Sequence, residues 1–422
     1  MSTPCAGIRM PHIVGAMSNT DAAMSNADAA DAPRTHRILV IGGGNAGLSV
    51  AGRLRRAGIT DIAVIDPNET HYYKPLFSHV AGGTARASEA QRPQRDVMPK
   101  GVDWIQDTVI RVDPKAHEVK LAAGGSVGYE QLVVCPGIQN RWDGIPGLAD
   151  AIRTPAVASN YEFELAIKAS ALLREVRGGT VVFVQAQGPA SCAGAAQKPM
   201  YQACAYWRAK GVLDDIRVVM LVPDPTVFGI PEIDAELERK IVEYGIELHT
   251  EAELVAVDGN LRTVTFGAER EQVTYDVLLV EPPQSAPSWI AESGLAQAAS
   301  GFVDVDVRTL RSPMHPDVWA LGDAAATTNS KSGGALRKQV KVLAENILAV
   351  LDGGEPTARY DGYGVCPFTV SRSTAVFAEF DDARRMAPTL WRTSYRESRR
   401  NWFIDRWMFP QVYWHGILQG RA

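Results

Sequence analysis

The stretch RILVIGGGNAG, residues 37–47, joins a short apolar run to a glycine-rich loop. The run Arg37–Ile41 is typical of a buried parallel strand. The loop fits the spacing G-x-G-x-x-G: Gly42 permits a tight turn, Gly44 lets a pyrophosphate approach the backbone, and Gly47 lets the next helix pack closely. The stretch therefore predicts a strand, turn and helix that bind a dinucleotide. A glycine-rich turn without a ligand is the alternative.

The residues that follow complete a β–α–β unit. The strand Ile62–Asp66 is predicted after the helix, and Asp66, 24 residues after Gly42, can accept a ribose hydroxyl. The positive end of the helix dipole, at Asn45 and Ala46, faces the phosphates. The helix has an apolar face and a glycine stop, at Leu48, Ala51, Leu54, Ala57 and Gly58.

The middle of the chain repeats this pattern with a different loop. Thr180–Gln185 and Arg217–Val222 are predicted strands, and Ala196–Lys210 is a predicted helix that ends at Gly211. In the loop AQGPASCAG, residues 186–194, the glycine spacing is broken and a proline removes a backbone N–H that phosphate would use. We therefore expect no NADH there.

The same loop holds Cys192, near the start of the predicted helix. A helix N-terminus lowers a thiol pKa, and Lys198 could assist it. An inert buried cysteine is the alternative. Of the other cysteines, Cys135 and Cys204 are expected to pack in the interior.

A third segment decides between possible dinucleotides. VWALGDA, residues 318–324, places Gly322 and Asp323 after a short predicted strand, and it resembles the segment where two-dinucleotide flavoproteins hold the ribityl chain of FAD. An aspartate that caps a helix is the alternative. The next helix is predicted to bury Ala335, Val340, Leu343 and Ile347 and to end at Gly353–Gly354.

Composition limits the classes of function. The chain has 422 residues and a net charge of −5, so it lacks the basic footprint of a nucleic-acid binder. Its five cysteines show no metal-ligand spacing, and we expect no metal site. No apolar run is long enough for a transmembrane helix. Residues 1–34 contain a tandem repeat, AMSNTDA-AMSNADA, and are expected to form a disordered tail or to precede a start at Met17 or Met24.

These patterns predict an α/β protein with two Rossmann-like domains and a C-terminal membrane-associating region. The expected divisions are 1–34 for the tail, 35–150 and 301–354 for the two parts of the FAD domain, 151–300 for the second Rossmann-like domain, and 355–422 for the C-terminal region.

Several motifs resemble those of the sulfide:quinone oxidoreductase family, over about nine tenths of the chain. They are HYYKPLF (71–77) followed by Gly82-Gly83, SCAGAAQK (191–198), YDGYGVCP (360–367), AEFD (378–381) and Tyr413-Trp414. Two departures lie in flavin-proximal segments. Lys74 stands where the family commonly has glutamine, and Cys135-Pro136-Gly137 replaces the usual Ala-Thr-Gly.

The resemblance implies FAD as the cofactor and Cys192 and Cys366 as a redox pair. Hydrosulfide would attack Cys366 and leave a persulfide there, and Cys192 would pass two electrons through FAD to ubiquinone or menaquinone. A small nucleophile would remove the sulfane sulfur. Together the motifs and the resemblance give the expected FAD contacts: Gly42, Gly44, Asn45, Ala46, Gly47, Asp66, Lys74, Pro75, Val109, Gly137, Gly322, Asp323, Lys331 and Gln339.

A quinone acceptor implies a membrane surface. The segment NWFIDRWMFPQVYWHGIL, residues 401–418, is aromatic and has arginines around it, including Arg406, as an interfacial helix has. Packing on the core or in a homodimer is the alternative. We expect a peripheral protein on the cytoplasmic face of the inner membrane, with Phe380 and Tyr413 in the quinone pocket.

Three other functions stay open from the sequence. A type II NADH dehydrogenase shares the implied fold and quinone, but the broken loop argues against it. The flavin subunit of a flavocytochrome sulfide dehydrogenase would need export and a haem partner. A non-catalytic persulfide sensor would bind sulfide without turnover.

Overall fold

The structure is a computed structural model that describes residues 34–192, 194–329 and 331–421. The predicted tail, its tandem repeat and Cys5 lie outside these residues, apart from Arg34. No helix in the described part of the chain is long and apolar enough to cross a membrane.

Within the described residues the strands form six sheets, of which two are large and mainly parallel. In chain order the strands are β1 (Thr35–Ile41), β2 (Ile62–Ile65), β3 (Thr70–Tyr72), β4 (Gln91–Pro93), β5 (Asp103–Ile105), β6 (Val109–Asp113), β7 (Glu118–Leu121), β8 (Ser126–Val134), β9 (Gln139–Asn140), β10 (Val157–Ala158), β11 (Gly179–Val184), β12 (Ile216–Leu221), β13 (Glu247–His249), β14 (Leu254–Asp258), β15 (Thr263–Phe266), β16 (Glu271–Thr274), β17 (Val277–Val280), β18 (Gln284–Ser285), β19 (Val318–Ala320), β20 (Gly364–Thr369) and β21 (Ala375–Phe380).

The helices cover the two large sheets and form most of the C-terminal region. They are α1 (Asn45–Arg56), α2 (Pro75–Ala81), α3 (Gln94–Val97), α4 (Leu148–Ala151), α5 (Phe163–Glu175), α6 (Gln197–Lys210), α7 (Pro231–Tyr244), α8 (Ser288–Glu292), α9 (Gly333–Leu351), α10 (Arg399–Phe403) and α11 (Phe409–His415), with a π-helical turn at Ile404–Met408 between the last two.

The first β–α–β unit forms as its sequence predicts. β1 lies between β2 and β8, and both pairings are parallel. This sheet has the order β5-β2-β1-β8-β7-β6, and β19 pairs with β8 in parallel. Leu48, Ala51 and Leu54 of α1 are fully buried, but Ala57 is exposed because the helix ends at Arg56. The predicted apolar face was therefore one position too long.

The second unit also forms, in the parallel sheet β10-β17-β11-β12-β13. α6 begins one residue later than predicted and ends at Gly211, whose φ of +70° is the left-handed stop that glycine favours. The four predicted apolar positions of α9 are buried. Both large sheets thus place a loop and a helix N-terminus beyond the carboxyl end of their central strands, where ligands of such folds bind.

The C-terminal region packs back on the first unit. The turn Ile417–Gln419 lies against α1 so closely that a Cβ on Gly52 would be 2.9 Å from the backbone there. The hairpin β20–β21 pairs Cys366 with Ala378 and lies beside α6, α7 and α9. The C-terminal region is therefore part of the interior of the molecule as well as its surface.

Candidate active site

The glycine-rich loop has the geometry that its spacing predicts. Gly42 has a φ of +104°, and a Cβ there would be 2.4 Å from the carbonyl oxygen of Cys135. A Cβ on Gly47 would be 1.8 Å from the Gly42 carbonyl oxygen, whereas a Cβ on Gly44 would meet no atom within 4 Å. The first and last glycines are thus required by packing, and the middle one leaves open space at the N-terminus of α1. That arrangement fits a bound pyrophosphate.

Asp66, directly after β2, holds the glycine-rich loop in place by a hydrogen bond. One carboxylate oxygen accepts the N–H of Gly43 at 2.6 Å, and the other accepts from the backbone and side chain of Asn68, both at 2.8 Å. The oxygen that accepts from Gly43 can accept a further hydrogen bond, because a carboxylate has about four lone-pair sites. Asp66 can therefore still take the predicted ribose contact while it holds the loop.

A hydrogen-bonded chain joins this loop to the C-terminal helices. The carbonyl of Gly43 accepts from the Gln94 side chain at 2.9 Å and faces Nδ1 of His71 at 3.1 Å. The other ring nitrogen of His71 lies 2.6 Å from the Tyr413 hydroxyl. Burial lowers the pKa of His71, so the ring is neutral at neutral pH.

The Gly322-Asp323 segment lies beside the glycine loop although it is far away in sequence. A Cβ on Gly322 would be 3.4 Å from the Cβ of Ala46, and a Cβ on Gly333 would be 3.5 Å from the side chain of Asn45. The Gly322 N–H donates to Gln339 at 2.9 Å, which fixes the turn Gly322–Ala324. The two motifs that predict FAD therefore meet at one place.

The other residues expected to contact FAD differ in their location and solvent exposure. Gly137 follows β8 with a φ of +82°, and the space around its absent side chain is open. Lys74 and Pro75 are exposed at the start of α2, and Val109 is buried at the start of β6. Lys331 is buried and donates to the carbonyl of Ala325 at 2.9 Å; burial lowers its pKa to about 8.

The fold brings Cys192 and Cys366 together. Their sulfur atoms lie 3.3 Å apart across 174 positions of sequence, and both are free thiols. A disulfide bond is about 2.05 Å long, so the sulfurs are in contact without being bonded. Cys366 lies within β20 and is fully buried, while Cys192 is partly buried in the loop before α6.

The two thiols differ in acidity. A hydrogen bond from Cys366 and the nearby ammonium of Lys198, 3.3 Å from the Cys192 sulfur, lower the pKa of Cys192 to about 6 despite its burial. Burial, and then the neighbouring Cys192, raise the pKa of Cys366 well above its usual range. At neutral pH Cys192 is therefore a thiolate paired with a cation, and Cys366 is a thiol.

Cys192 precedes the N-terminus of α6 and is not part of that helix, so a contribution from the helix terminus stays a prediction. Cys192 lies before the start of α6 at Gln197, and its φ of +62° places it in a turn rather than in the first turn of the helix. The hydrogen bond from Cys366, the nearby Lys198 and the backbone of Gly194 lower its pKa. The predicted help from Lys198 is confirmed by the 3.3 Å contact.

Gly194 allows the sulfurs to meet. A Cβ there would lie 2.3 Å from the Phe368 ring and 2.8 Å from the Cys366 sulfur. The thiol pair also joins the cofactor region, because the Cys192 N–H donates to the carbonyl of Lys331 at 2.7 Å. The segment after Lys331 leads directly to Gly333, beside the glycine loop.

Phe380 and Tyr413 lie in the same large hydrophobic cluster but contact different aromatic rings. Both side chains are buried. Phe380 contacts Phe228, with ring centroids 5.6 Å apart, whereas Tyr413 contacts Tyr73 at 4.3 Å and His71. Tyr413 also connects to the glycine loop through His71, and a quinone pocket that contains both residues stays a prediction.

The aromatic C-terminal segment has two faces. Tyr413, Trp414 and Leu418 are buried, which agrees with the packing alternative. Arg406 is buried too and pairs with Glu89 at 2.8 Å, so it was wrongly counted among the surface arginines. The opposite face exposes Phe403, Trp407, Met408 and Val412 at 54, 47, 47 and 40 per cent of their surface.

Sequence reasoning missed two groups beside the thiol pair. The Tyr161 hydroxyl donates to the carbonyl of Cys192 at 3.5 Å, and Glu281 is buried directly after β17. A charged residue that follows the apolar strand VLLV was the available signal, since the carboxyl ends of parallel strands meet at the ligand-binding edge.

The remaining cysteines, Cys135 and Cys204, are buried as expected, and burial raises the pKa of both.

Comparisons with known proteins agree with this geometry. The profile described as "Pyridine nucleotide-disulphide oxidoreductase" matches residues 36–340. A mitochondrial sulfide:quinone oxidoreductase of Dictyostelium discoideum is 31% identical over 91% of this chain and 86% of that protein. Its counterpart from Mus musculus is 30% identical over 91% and 87%. The X-ray structure of the sulfide:quinone oxidoreductase of Aquifex aeolicus shares the fold, with a TM-score of 0.79 at 19% identity over 92% of each chain.

Fold and site together define a two-unit dinucleotide-binding oxidoreductase that contains a thiol pair. The chain belongs to the pyridine nucleotide-disulphide oxidoreductases and, within them, to the sulfide:quinone oxidoreductases. It is an FAD-dependent oxidoreductase, and the glycine loop with its neighbours fits that cofactor.

Proposed function

We propose that this protein oxidises hydrogen sulfide to sulfane sulfur and transfers the electrons to a membrane quinone. The observation that carries the proposal is the 3.3 Å contact between the sulfurs of Cys192 and Cys366, with Lys198 on one of them. A structural pair of buried cysteines would not need a buried ammonium at hydrogen-bonding distance, because placing that charge in the interior is costly.

The difference in acidity between Cys192 and Cys366 assigns the leaving thiolate and the attacked sulfur in the first step. In the oxidised form a Cys192–Cys366 disulfide is attacked by hydrosulfide at the Cys366 sulfur. The new bond makes a persulfide on Cys366, the disulfide bond breaks, and its electron pair leaves on Cys192 as a thiolate. Lys198 stabilises that thiolate, and a leaving thiol of lower pKa departs faster.

The protein positions the cofactor, and FAD when bound supplies two-electron acceptor chemistry next to the thiolate. The residues proposed to hold it are those that meet at the N-terminus of α1: the loop Gly42–Gly47, Asp66, Gly137 and the turn at Gly322-Asp323. A small nucleophile then takes the sulfane sulfur from Cys366 and leaves a thiolate there.

We propose that the quinone approaches along the C-terminal helices on the side of Tyr413, which contacts His71 and through it the glycine loop. The exposed patch Phe403, Trp407, Met408 and Val412 is proposed to lie in the membrane interface, with surface arginines such as Arg399 and Arg400 at the lipid headgroups. In this arrangement the protein is peripheral, on the cytoplasmic face of the inner membrane.

Anaerobic titration with sulfide tests the chemistry. Sulfide should bleach the flavin absorbance of the wild-type holoenzyme, and added quinone should restore it. Cys192→Ser and Cys366→Ser should each lower turnover by a factor on the order of 10³ or more while FAD stays bound, and the double variant should be no worse, because the two sulfurs act as a unit.

The matched control is Cys204→Ala, which changes a buried cysteine on α6 away from the thiol pair and should keep normal turnover. Near-normal turnover in either serine variant would refute the disulfide step. Bleaching by NADH but not by sulfide would instead support a type II NADH dehydrogenase. Sulfide binding without quinone-dependent turnover would support a sensor.

Vesicle binding tests the membrane surface. The variant Phe403→Ser/Trp407→Ser/Met408→Ser should cosediment with vesicles of phosphatidylcholine and phosphatidylglycerol at least about tenfold less than wild type, since it removes apolar surface available for insertion. The control Val242→Ser/Leu261→Ser removes two exposed apolar side chains elsewhere and should cosediment normally. Equal cosedimentation of the triple variant and wild type would contradict the interface.

A further inference from the structure

Glu281 is a buried carboxyl group without a hydrogen-bond partner. Only 1 per cent of the residue is exposed, and neither side-chain oxygen makes a hydrogen bond within the described part of the chain. Glu379, equally buried, is different: its oxygens accept from Tyr363, Thr389 and Ser394. The contrast indicates that Glu379 is structural, whereas the fold does not satisfy Glu281 as a carboxylate.

The surroundings of Glu281 belong to the thiol site. It follows β17, whose neighbour β11 leads into the Cys192 loop, and its N–H donates to the carbonyl of Val184 at 2.9 Å. The Tyr161 hydroxyl and the N–H of Ala186 lie near its carboxyl group and favour its ionised form, although neither meets the geometry of a hydrogen bond. Tyr161 in turn donates to the Cys192 carbonyl.

Two causes raise the pKa of Glu281 well above its usual range. The larger is burial, and the second is the negative charge of Cys192, while Tyr161 and Ala186 oppose them. Other titratable groups of this site are Cys366, whose buried thiol keeps its proton, and Lys198; burial opposes the charged form of Lys198, but the negative charges of Cys192 and Asp405 raise its pKa.

The influence of Cys192 on Glu281 depends on the redox state of the cysteine pair. Cys192 bears a negative charge only as a thiolate, and in a disulfide that charge is absent. Glu281 therefore holds its proton more tightly when the pair is reduced. Because such coupling is reciprocal, protonation of Glu281 must also favour reduction of the pair.

We propose that Glu281 is a redox-linked proton acceptor of the Cys192–Cys366 pair, connected to the Cys192 segment through Tyr161. The inference rests on the proposed redox function of the two cysteines. Reduction of the disulfide by two electrons from a dithiol or from sulfide breaks the S–S bond. With a dithiol, one proton goes to Cys366, Cys192 remains a thiolate, and a second proton goes to the Glu281 carboxylate over the pH range in which that carboxylate titrates.

In this role Glu281 changes the charge near the thiolate and takes no part in making or breaking covalent bonds. A thiolate that appears in a buried site beside a carboxylate would create like-charge repulsion. Uptake of a proton by Glu281 removes that repulsion and leaves the thiolate paired with Lys198 alone. The Tyr161 hydroxyl, which donates to the Cys192 carbonyl, connects the buried Glu281 to the thiol loop.

The test measures the midpoint potential of the cysteine pair in the holoenzyme as a function of pH. The protein is equilibrated with dithiothreitol buffers of graded redox ratio, and the thiols are alkylated and counted by mass spectrometry. Where Glu281 titrates, the wild-type potential should change by one more proton per two electrons than that of Glu281→Gln, about 30 mV per pH unit. Glu281→Asp, which can still ionise, should recover part of this slope.

The matched control is Glu253→Gln, which removes an exposed carboxylate of the same unit and should keep the wild-type slope. Equal slopes in wild type and Glu281→Gln at every pH, with the disulfide formed in both, would overturn this inference and leave the proposed function intact. Absence of a Cys192–Cys366 disulfide in oxidising buffer would overturn both.

A second readout keeps the proposal testable if Glu281→Gln does not fold. The reduced-minus-oxidised infrared difference spectrum of the wild-type holoenzyme should contain a carbonyl band of a protonated carboxylic acid, and Tyr161→Phe should shift it. A wild-type spectrum without such a band across the titrated pH range would refute the proton uptake.

Discussion

The loops after β1 and β11 occupy the same place in two similar β–α–β units, yet they differ in length, residue composition and backbone conformation. The first, residues 42–44, is short and leaves open space at Gly44. The second, residues 185–196, is longer, contains Pro189 and holds Cys192 at a φ of +62°. The same topology thus supports a phosphate cradle in one unit and a reactive sulfur in the other.

Each of the two loops contacts segments that are distant in sequence, so the candidate active site is formed by several parts of the chain. The first loop meets Gly322 and Gly333 from the far part of the chain, and the second meets Cys366 from β20. Lys331 lies between them, since its carbonyl accepts from the N–H of Cys192. The thiol pair and the glycine loop therefore both lie beside the segment from Lys331 to Gly333.

The largest expected effect separates two glycines of the first loop. Gly47→Ala should destabilise the protein by at least about 2 kcal/mol with or without FAD, because its Cβ would overlap the Gly42 carbonyl. Gly44→Ala should leave the stability of the apoprotein within about 1 kcal/mol of wild type, since its Cβ meets nothing, but should weaken FAD binding at least about tenfold.

Urea unfolding of the apoprotein and fluorescence titration with FAD measure the two quantities. The two variants are controls for each other, because they add the same methyl group three residues apart. Should Gly44→Ala bind FAD as tightly as wild type, the open space at this loop would not be the pyrophosphate site, and the contrast between the two loops would lose its basis.

A smaller effect concerns the charge in the second loop. As the pH falls through about 6, wild-type Cys192 is protonated, so its reactivity should fall about tenfold per pH unit below that value. Lys198→Met removes the cation that favours the thiolate, which should raise the pKa of Cys192 by about 1–3 units and make Cys192 mainly a thiol at neutral pH.

The rate of alkylation of Cys192 by iodoacetamide in the reduced enzyme, measured against pH, checks this shift. Lys210→Met makes the same charge change at an exposed position of α6 and should leave the profile unchanged. Identical profiles for Lys198→Met and wild type would mean that the contact with Cys366 alone sets the acidity of Cys192.

Local sequence was enough to predict the strands and helices of the two β–α–β units and the geometry of the glycine-rich loop. The spacing of Gly42, Gly44 and Gly47 predicts its geometry because backbone conformation and close packing at a tight turn depend on neighbouring residues. Alternation of apolar strands and helices likewise predicted two β–α–β units, with ends correct to within a residue or two. The family motifs pointed to Cys192 and Cys366, but as a resemblance rather than as a contact.

The acidity of the two thiols, and which side chains of the C-terminal segment are buried or exposed, follow from tertiary contacts. The acidity of Cys192 depends on Cys366, which is distant in sequence, as well as on the predicted neighbour Lys198. The protonation of Glu281 depends on its burial, which local spacing does not predict. Composition also could not tell that Arg406 is buried while Trp407 is exposed. Electrostatic energy depends on distance and solvent exposure in space, so these properties exist only once distant parts of the chain have packed together.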